Sequence, residues 1–419
     1  MPFITLFERF VSLFSDNKLL REALSAAWNL LPLWLPILLV TLFLQIWFRY
    51  KRTEWIKKQG SVLLEIRLPK EIEKPPSAME VVLNALSQPS VGNYLDVYLK
   101  GRVRPWFALE LVSLEGQVKF FVWTFATLKN IVEAQIYSQY PTVEVHEVPD
   151  YALRVKYDPE NFSIWGAQLK LTKADVYPLK TYVDYGLDKT MAEEEEKVDP
   201  ITAVLEFLGS MRPGEQAWVQ ILIRAHRSEG LKDRRIFKKA DWKDAAKTEI
   251  KRIIEKETFV KTEKEKPPAL LGLTDNQKFV IGAIERSISK PAFDTMIRCV
   301  YLARKDVYNS FNISGLTGVF KQFSSQTLNG LAVKWKTKFE YPWEDFRGIR
   351  RVKNEMKMLD AYKRRSYFQP PYRFFHGKPF ILTSEEVATL YHFPGGVATT
   401  PTFARIASRK AEPPANLPI

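Results

Sequence analysis

From residue 23 to residue 48 the chain carries not one charged side chain. The densest part, residues 30–48, reads LLPLWLPILLVTLFLQIWF. A helix rises ~1.5 Å per residue, so about 20 apolar residues cross the ~30 Å hydrocarbon core of a bilayer. The stretch therefore predicts one membrane-spanning helix over residues 23–50. Pro32 and Pro36 fall in the first turns of its densest part, 30–48, where a missing backbone donor costs least. Trp28, Trp34 and Trp47 suit the water–lipid interfaces, and Arg49, Lys51 and Arg52 follow at once. A cleaved signal peptide would be shorter, begin nearer Met1 and follow a basic region. A helix buried in a soluble core is a poor match to this length.

Flanking charge sets the orientation. Residues 1–29 hold Arg9, Lys18 and Arg21 against Glu8, Asp16 and Glu22. Residues 49–58 hold Arg49, Lys51, Arg52, Lys57 and Lys58 against Glu54. Basic residues stay on the cytoplasmic side, which predicts the N-terminus outside and the C-terminal bulk inside. In residues 1–22, Phe3, Phe7, Phe10 and Phe14 recur at helical spacing. They predict an amphipathic helix that lies in the interface or packs on a partner helix.

The 419 residues allow two or three domains, and 46% hydrophobic with 26% charged residues marks the bulk as folded. A net charge of +14 fits three partners: nucleic acid, anionic lipid or an acidic protein. One cysteine, Cys299, excludes an intrachain disulfide. His146, His226, His376 and His392 are scattered, none at ligand spacing from another, so neither metal nor cofactor is expected.

Past the span, SVLLEIRL (61–68) alternates as a strand, and Ser77 caps a helix after a Pro-rich break. Residues 107–125 form a hairpin about Glu115-Gly116, a helix covers 127–141 and a strand 143–148. That order, β-α-β-β-α-β, predicts a ferredoxin-like (split βαβ) unit over 60–155. A second such unit is expected over 160–343. Its strands are 163–172, 176–183, 216–226, 293–304 and 332–341, and a charged helical insertion, 231–290, follows the third. Asp199 and Pro200 open a helix within it. Thus the fold class is α+β: an N-terminal transmembrane helix, two ferredoxin-like units with the insertion, and an extended C-terminal tail. A basic aromatic helix occupies 344–378 and a Pro-rich tail 379–419. In that tail Thr383 and Glu386 signal a capped short helix through Tyr391.

The run GSMRPGEQ (209–216) imitates the glycines of a P-loop, but the Lys and Ser/Thr positions hold Glu215 and Gln216. A helix precedes it and a strand follows, the reverse of a P-loop, so it is read as a turn. No GxSxG, HExxH, GxGxxG or Cys–His constellation occurs, and no enzymatic activity is expected. In the basic helix, Arg350, Arg351, Lys363, Arg364 and Arg365 interleave with aromatics such as Tyr367. Cations beside aromatics suit a single-stranded nucleic-acid groove. A solvated helix packed by its aromatics, or a face docking an acidic partner, fits equally well.

The segments LTSEEVATLYHFPGG (382–396) and TPTFARIASRKAEPPANLP (400–418) resemble the junction before the motor domain of type IV secretion and conjugation ATPases of the HerA/FtsK superfamily. Upstream words, among them LEFLGSMRPGEQAWVQILIRAH (205–226) and DAYKRRSYF (360–368), resemble an uncharacterised membrane-anchored family of candidate-phyla bacteria associated with such ATPases. No Walker A or B motif follows, and no catalytic residue carries over. The resemblance implies a non-catalytic scaffold at the bacterial inner membrane with its secretion-type ATPase on a separate chain. It also implies a homo-oligomer matched to a ring. Tyr391, His392, Phe393, Pro413 and Pro414 are then the expected docking residues.

Overall fold

The computed structural model describes residues 22, 25, 26, 28–69, 74–188, 198–228, 241–260 and 273–395. The amphipathic helix expected in residues 1–22 lies outside them except for its last residue, and so do Pro413, Pro414 and the rest of the tail beyond 395. Two compact units divide the chain: residues up to 58 with 92–103, and the remainder.

The first unit is built on α1, Leu31–Gln59, none of whose residues is buried. It is the one described helix long and apolar enough to cross a membrane. It runs nine residues past the expected end at Tyr50, because residues 51–59 are good helix formers closed by Gly60 at φ +65°. The unit also contains a short helix, α3, Tyr94–Tyr98.

The second unit is an α+β body. In chain order it contains β1 (Val62–Arg67), α2 (Pro76–Leu86), β2 (Phe107–Leu114), β3 (Gln117–Thr124), α4 (Lys129–Gln139) and β4 (Glu144–Val148). There follow α5 (Tyr151–Arg154), β5 (Phe162–Leu171), α6 (Pro200–Gly209), β6 (Glu215–Ala225), α7 (Trp242–Val260) and α8 (Asp275–Ser289). The chain continues through β7 (Ala292–Arg304), α9 (Phe311–Gly318), β8 (Leu331–Lys336), α10 (Ile349–Lys363), β9 (Phe380–Thr383) and α11 (Ser384–Leu390). Among the described residues, nine strands join one sheet, β4-β1-β3-β2-β6-β7-β5-β8, with β9 against β7. Every pairing is antiparallel. Numbered within each half, the order 4-1-3-2 occurs twice, and the halves meet where β2 pairs with β6 from Phe107↔Ile223 to Leu114↔Gln216.

Alternation along the strands sorts two faces. Leu109, Leu111, Phe120, Val122, Val219, Ile221, Ile297 and Cys299 pack beneath α2, α4, α6 and α11. The opposite face carries Glu110, Trp218, Gln220 and Arg298, and it is buried as well, because α10 and the chain after it lie across it. Ala246, Val280, Ala283 and Ile284 of the insertion pack with Val176 and Leu328 in a second, smaller core.

Several expectations need correction. Residues 176–183 form no strand. Their backbone donors go instead to α11 and its surroundings: Leu179 N–H to Glu386 (2.8 Å), Tyr182 N–H to Thr389 (3.0 Å) and Lys180 N–H to the Phe323 carbonyl (3.1 Å). With that strand gone, the charged insertion separates the second and third strands of its half rather than following the third. The helix expected to be capped by Ser77 starts at Pro76, whose missing donor suits a first turn. β8 ends at Lys336 rather than 341, and the tail begins with a strand, β9, instead of extended chain.

The hairpin stands at its expected turn, with positive φ at both Glu115 (54°) and Gly116 (88°), as a tight two-residue turn requires. A Cβ on Gly116 would meet the Met211 carbonyl oxygen at 2.7 Å. Gly116→Ala should cost about 1–2 kcal/mol from backbone strain and that clash, read as an earlier urea midpoint. A loss below the precision of the measurement would mean that the turn rearranges freely.

Candidate interaction surface

The charges singled out in residues 344–378 separate into an inner and an outer set. Inside, Arg365 is fully buried and donates to both Glu110 oxygens (2.9 and 3.1 Å), while also pairing with Asp150. Burial works against its charge, and Glu110 overcomes that, so its proton is held more tightly than usual. Arg298, also fully buried, donates to the Ala361 (2.7 Å) and Ser366 (2.6 Å) carbonyls and to Gln220 (3.2 Å); burial brings its pKa down to about 9. The Tyr151 hydroxyl donates to Glu110 (2.9 Å) and shares a hydrogen bond with Tyr362 (2.8 Å). This network, two cations against two carboxylates, fastens the end of α10 onto the sheet. Tyr367 is buried with its hydroxyl on the Gly377 carbonyl (2.8 Å). Neither Arg365 nor Tyr367 can therefore meet a nucleic acid from the surface, which corrects that reading for both residues. They were turned inward because a polar sheet face needs charged partners.

The others are partly committed. Lys363 is half-buried, donates to the Val155 carbonyl and has its pKa lowered by burial. Arg364 is exposed and shares its Nε–H between the two Asp360 oxygens (2.9 Å to each). Arg350 and Arg351 sit together in the first turn of α10, their N–H groups capped by Asp345 (3.1 and 2.7 Å). Both of these side chains are exposed.

The docking expectation for Tyr391, His392 and Phe393 is likewise corrected, since all three are buried. The Tyr391 hydroxyl donates to the Phe121 carbonyl (3.1 Å). His392 faces Asp199 with Nε2 (3.1 Å) and the Ala388 carbonyl with Nδ1 (2.9 Å). Burial opposes the charge of Asp199, and His392 overcomes it, holding that carboxyl below its ordinary range. Phe393 meets Phe120 and Tyr140 edge-on, with centroids 5.5 and 4.7 Å apart. The three residues anchor α11 to the core. On α1, Trp28, Trp34 and Arg49 are exposed, and Lys51 lies over the rings of Trp47 (5.3 Å) and Tyr50 (5.7 Å) while pairing with Glu54 (2.9 Å). Arg52 is half-buried beside them.

What the sequence did not single out is the loop that leads into α10. Phe346 is 93% and Trp343 75% exposed, and the Tyr341 and Trp343 rings stack at 4.7 Å and 9°. Ile349 and Met356 are exposed beside them on α10. Lys338, Arg347, Arg350, Arg351 and Lys353 of the same stretch are exposed too, and the Arg350 guanidinium lies over Phe339 at 5.0 Å. Behind them, on the outer strand β8, Trp335 stacks on His376 at 3.8 Å; burial there, with the charge of Lys357, lowers the His376 pKa to about 4. Exposed aromatics and arginines on one stretch of chain are the anchors that interfaces favour. No periodicity marks such a loop, so only a count of aromatics between β8 and α10 would have flagged it.

Among the described residues no group of His, Cys, Asp and Glu is arranged to hold a metal ion. Cys299 is buried in apolar surroundings that push its thiol pKa up, which leaves it a poor nucleophile. No curated protein matches the chain. A family model described as "Domain of unknown function (DUF8128)" matches residues 48–405, which take in the end of the apolar part of α1 and the whole sheet. The chain belongs to that family.

Proposed function

We propose that this chain is a non-catalytic scaffold, anchored by α1 in the bacterial inner membrane, that docks a partner on its cytoplasmic side. The partner we assign is a HerA/FtsK-type ATPase of a type IV secretion or conjugation-like machine, on a separate chain. The observation that carries the scaffold reading is the exposed aromatic and basic surface at 338–353, on a body whose clusters about Arg365 and Asp294 are instead spent on holding the fold. The ATPase assignment rests on the junction-like words at 382–418 alone. Retention of basic residues after α1 supports a cytoplasmic body. The repeated 4-1-3-2 strand order supports two ferredoxin-like units, and a ring-forming partner favours a homo-oligomer.

Membranes solubilised in mild detergent should yield the ATPase with the chain. Trp343→Ser with Phe346→Ser should lower the recovery roughly tenfold or more, as the loss of interface anchors does. Recovery of no ATPase from wild-type membranes would remove the assignment.

A second reading is a membrane-tethered protein that binds single-stranded nucleic acid. The stacked Tyr341–Trp343 pair beside Arg347 and Arg350 favours it. Its mark is affinity for a homopolymer oligonucleotide that falls steeply with salt and is lost in Trp343→Ala. Salt-independent or absent binding excludes it.

A further inference from the structure

The first unit holds a second element whose exposed residues match a membrane surface. α3 and the residue after it place Tyr94, Leu95, Tyr98 and Leu99 on one helical face, with Asp96 and Lys100 away from it. Leu95 is 67% and Leu99 55% exposed, and Tyr94 is also exposed. Asp96 and Lys100 pair with each other at 2.8 Å, and Asp96 accepts from Asn93 N–H at 3.1 Å, so the polar side is internally satisfied.

The position of this element is fixed against α1. The Tyr98 and Phe48 rings meet at 5.2 Å. Gly101, at φ +70°, lies so close to the helix that a Cβ there would come within 2.4 Å of the Lys51 carbonyl. From Leu31 to Phe48 the helix rises ~26 Å, close to the ~30 Å hydrocarbon thickness, and charge begins at Arg49. The bilayer boundary of a spanning α1 therefore falls at residues 48–52, the level at which α3 is seated. Tyrosines and leucines over paired charges are suited to that depth.

We infer that the segment 94–100 is a second, interfacial membrane contact, with Tyr94, Leu95 and Leu99 immersed among lipid headgroups beside the exit of α1. It rests on the membrane reading of α1. Such a contact fixes the rotation and tilt of the helix, which a single span leaves free.

The test uses the full chain in vesicles of phosphatidylcholine and phosphatidylglycerol. An environment-sensitive nitrobenzoxadiazole label is attached at Leu95→Cys, Leu99→Cys or Ile37→Cys; buried Cys299 is the only native cysteine. Labels at 95 and 99 should emit to the blue of their value in water and be quenched best by headgroup-level spin-labelled lipid. The label at 37 should be quenched best by chain-end spin labels. A label at 37 that no lipid quenches overturns the membrane reading itself. Quenching at 37 with water-like emission at 95 and 99 overturns this inference alone. So does a blue emission at 95 that lipids do not quench and that rises with protein density, the sign of a second copy covering the face. Adding Gly101→Val should abolish headgroup quenching at 95 and leave 37 unchanged. Retained quenching at 95 would show that the seat on α1 does not set the depth.

Discussion

Arg365→Ala should destabilise the second unit by about 3–5 kcal/mol, the largest single-residue effect expected here. The substitution strands Glu110, which is fully buried, and removes a partner from Asp150. It also disturbs the chain at Arg365, whose carbonyl accepts from the Trp106 indole at 3.1 Å. Because Trp106 and Trp218 both adjoin this region, tryptophan fluorescence in a urea titration of the detergent-solubilised chain reports it directly. Glu110→Met combined with Arg365→Met removes both charges and fills their volume, and it should recover much of the loss. A single mutant as stable as the wild type would show that the network contributes nothing to stability.

The second large effect belongs to Asp294. It pairs with Arg224 (2.6 Å), His226 (2.6 Å) and Arg104 (3.5 Å), all at the far end of β6 and β7. Burial works against its charge, and His226, Arg224 and Arg104 overcome that and bring its pKa down to about 2. A carboxylate whose pKa is depressed in the folded state adds stability above its unfolded value near 3.8. That stability is lost as pH falls through about 2. The gap corresponds to about 2 kcal/mol. Asp294→Asn should therefore unfold more easily by roughly 3 kcal/mol at neutral pH, since two buried arginines lose their counter-charge. Its unfolding midpoint should also lack this part of the wild-type decline between pH 4 and pH 2. An unchanged acid slope in the variant would assign the decline to other carboxylates.

Much of the fold was legible in the sequence, and for local reasons. An uncharged run long enough to cross a bilayer can be read from one residue to the next. So can Glu115-Gly116 as a hairpin, Asp199-Pro200 and Thr383 with Glu386 as helix starts, and the alternation of 107–125. In each case the deciding interaction lies within four residues of the signal.

What failed was decided at long range. Residues 176–183 alternate as a strand should, yet side chains of α11, some two hundred residues on, take their backbone donors. Arg365 and Tyr367 look like a basic aromatic surface, but Glu110 on β2 and the backbone at Gly377 draw them inside. Tyr391, His392 and Phe393 look like an exposed junction and instead fill the core between Phe120, Tyr140 and Asp199. The exposed rings at 341–346 have no period to announce them. By itself the sequence determined the apolar helix, the strand and helix types and most turns, because these depend on residue order and short-range hydrogen bonding. Only the tertiary structure decided which charges point inward, because a buried carboxylate such as Glu110 must find its cation wherever the chain can deliver one.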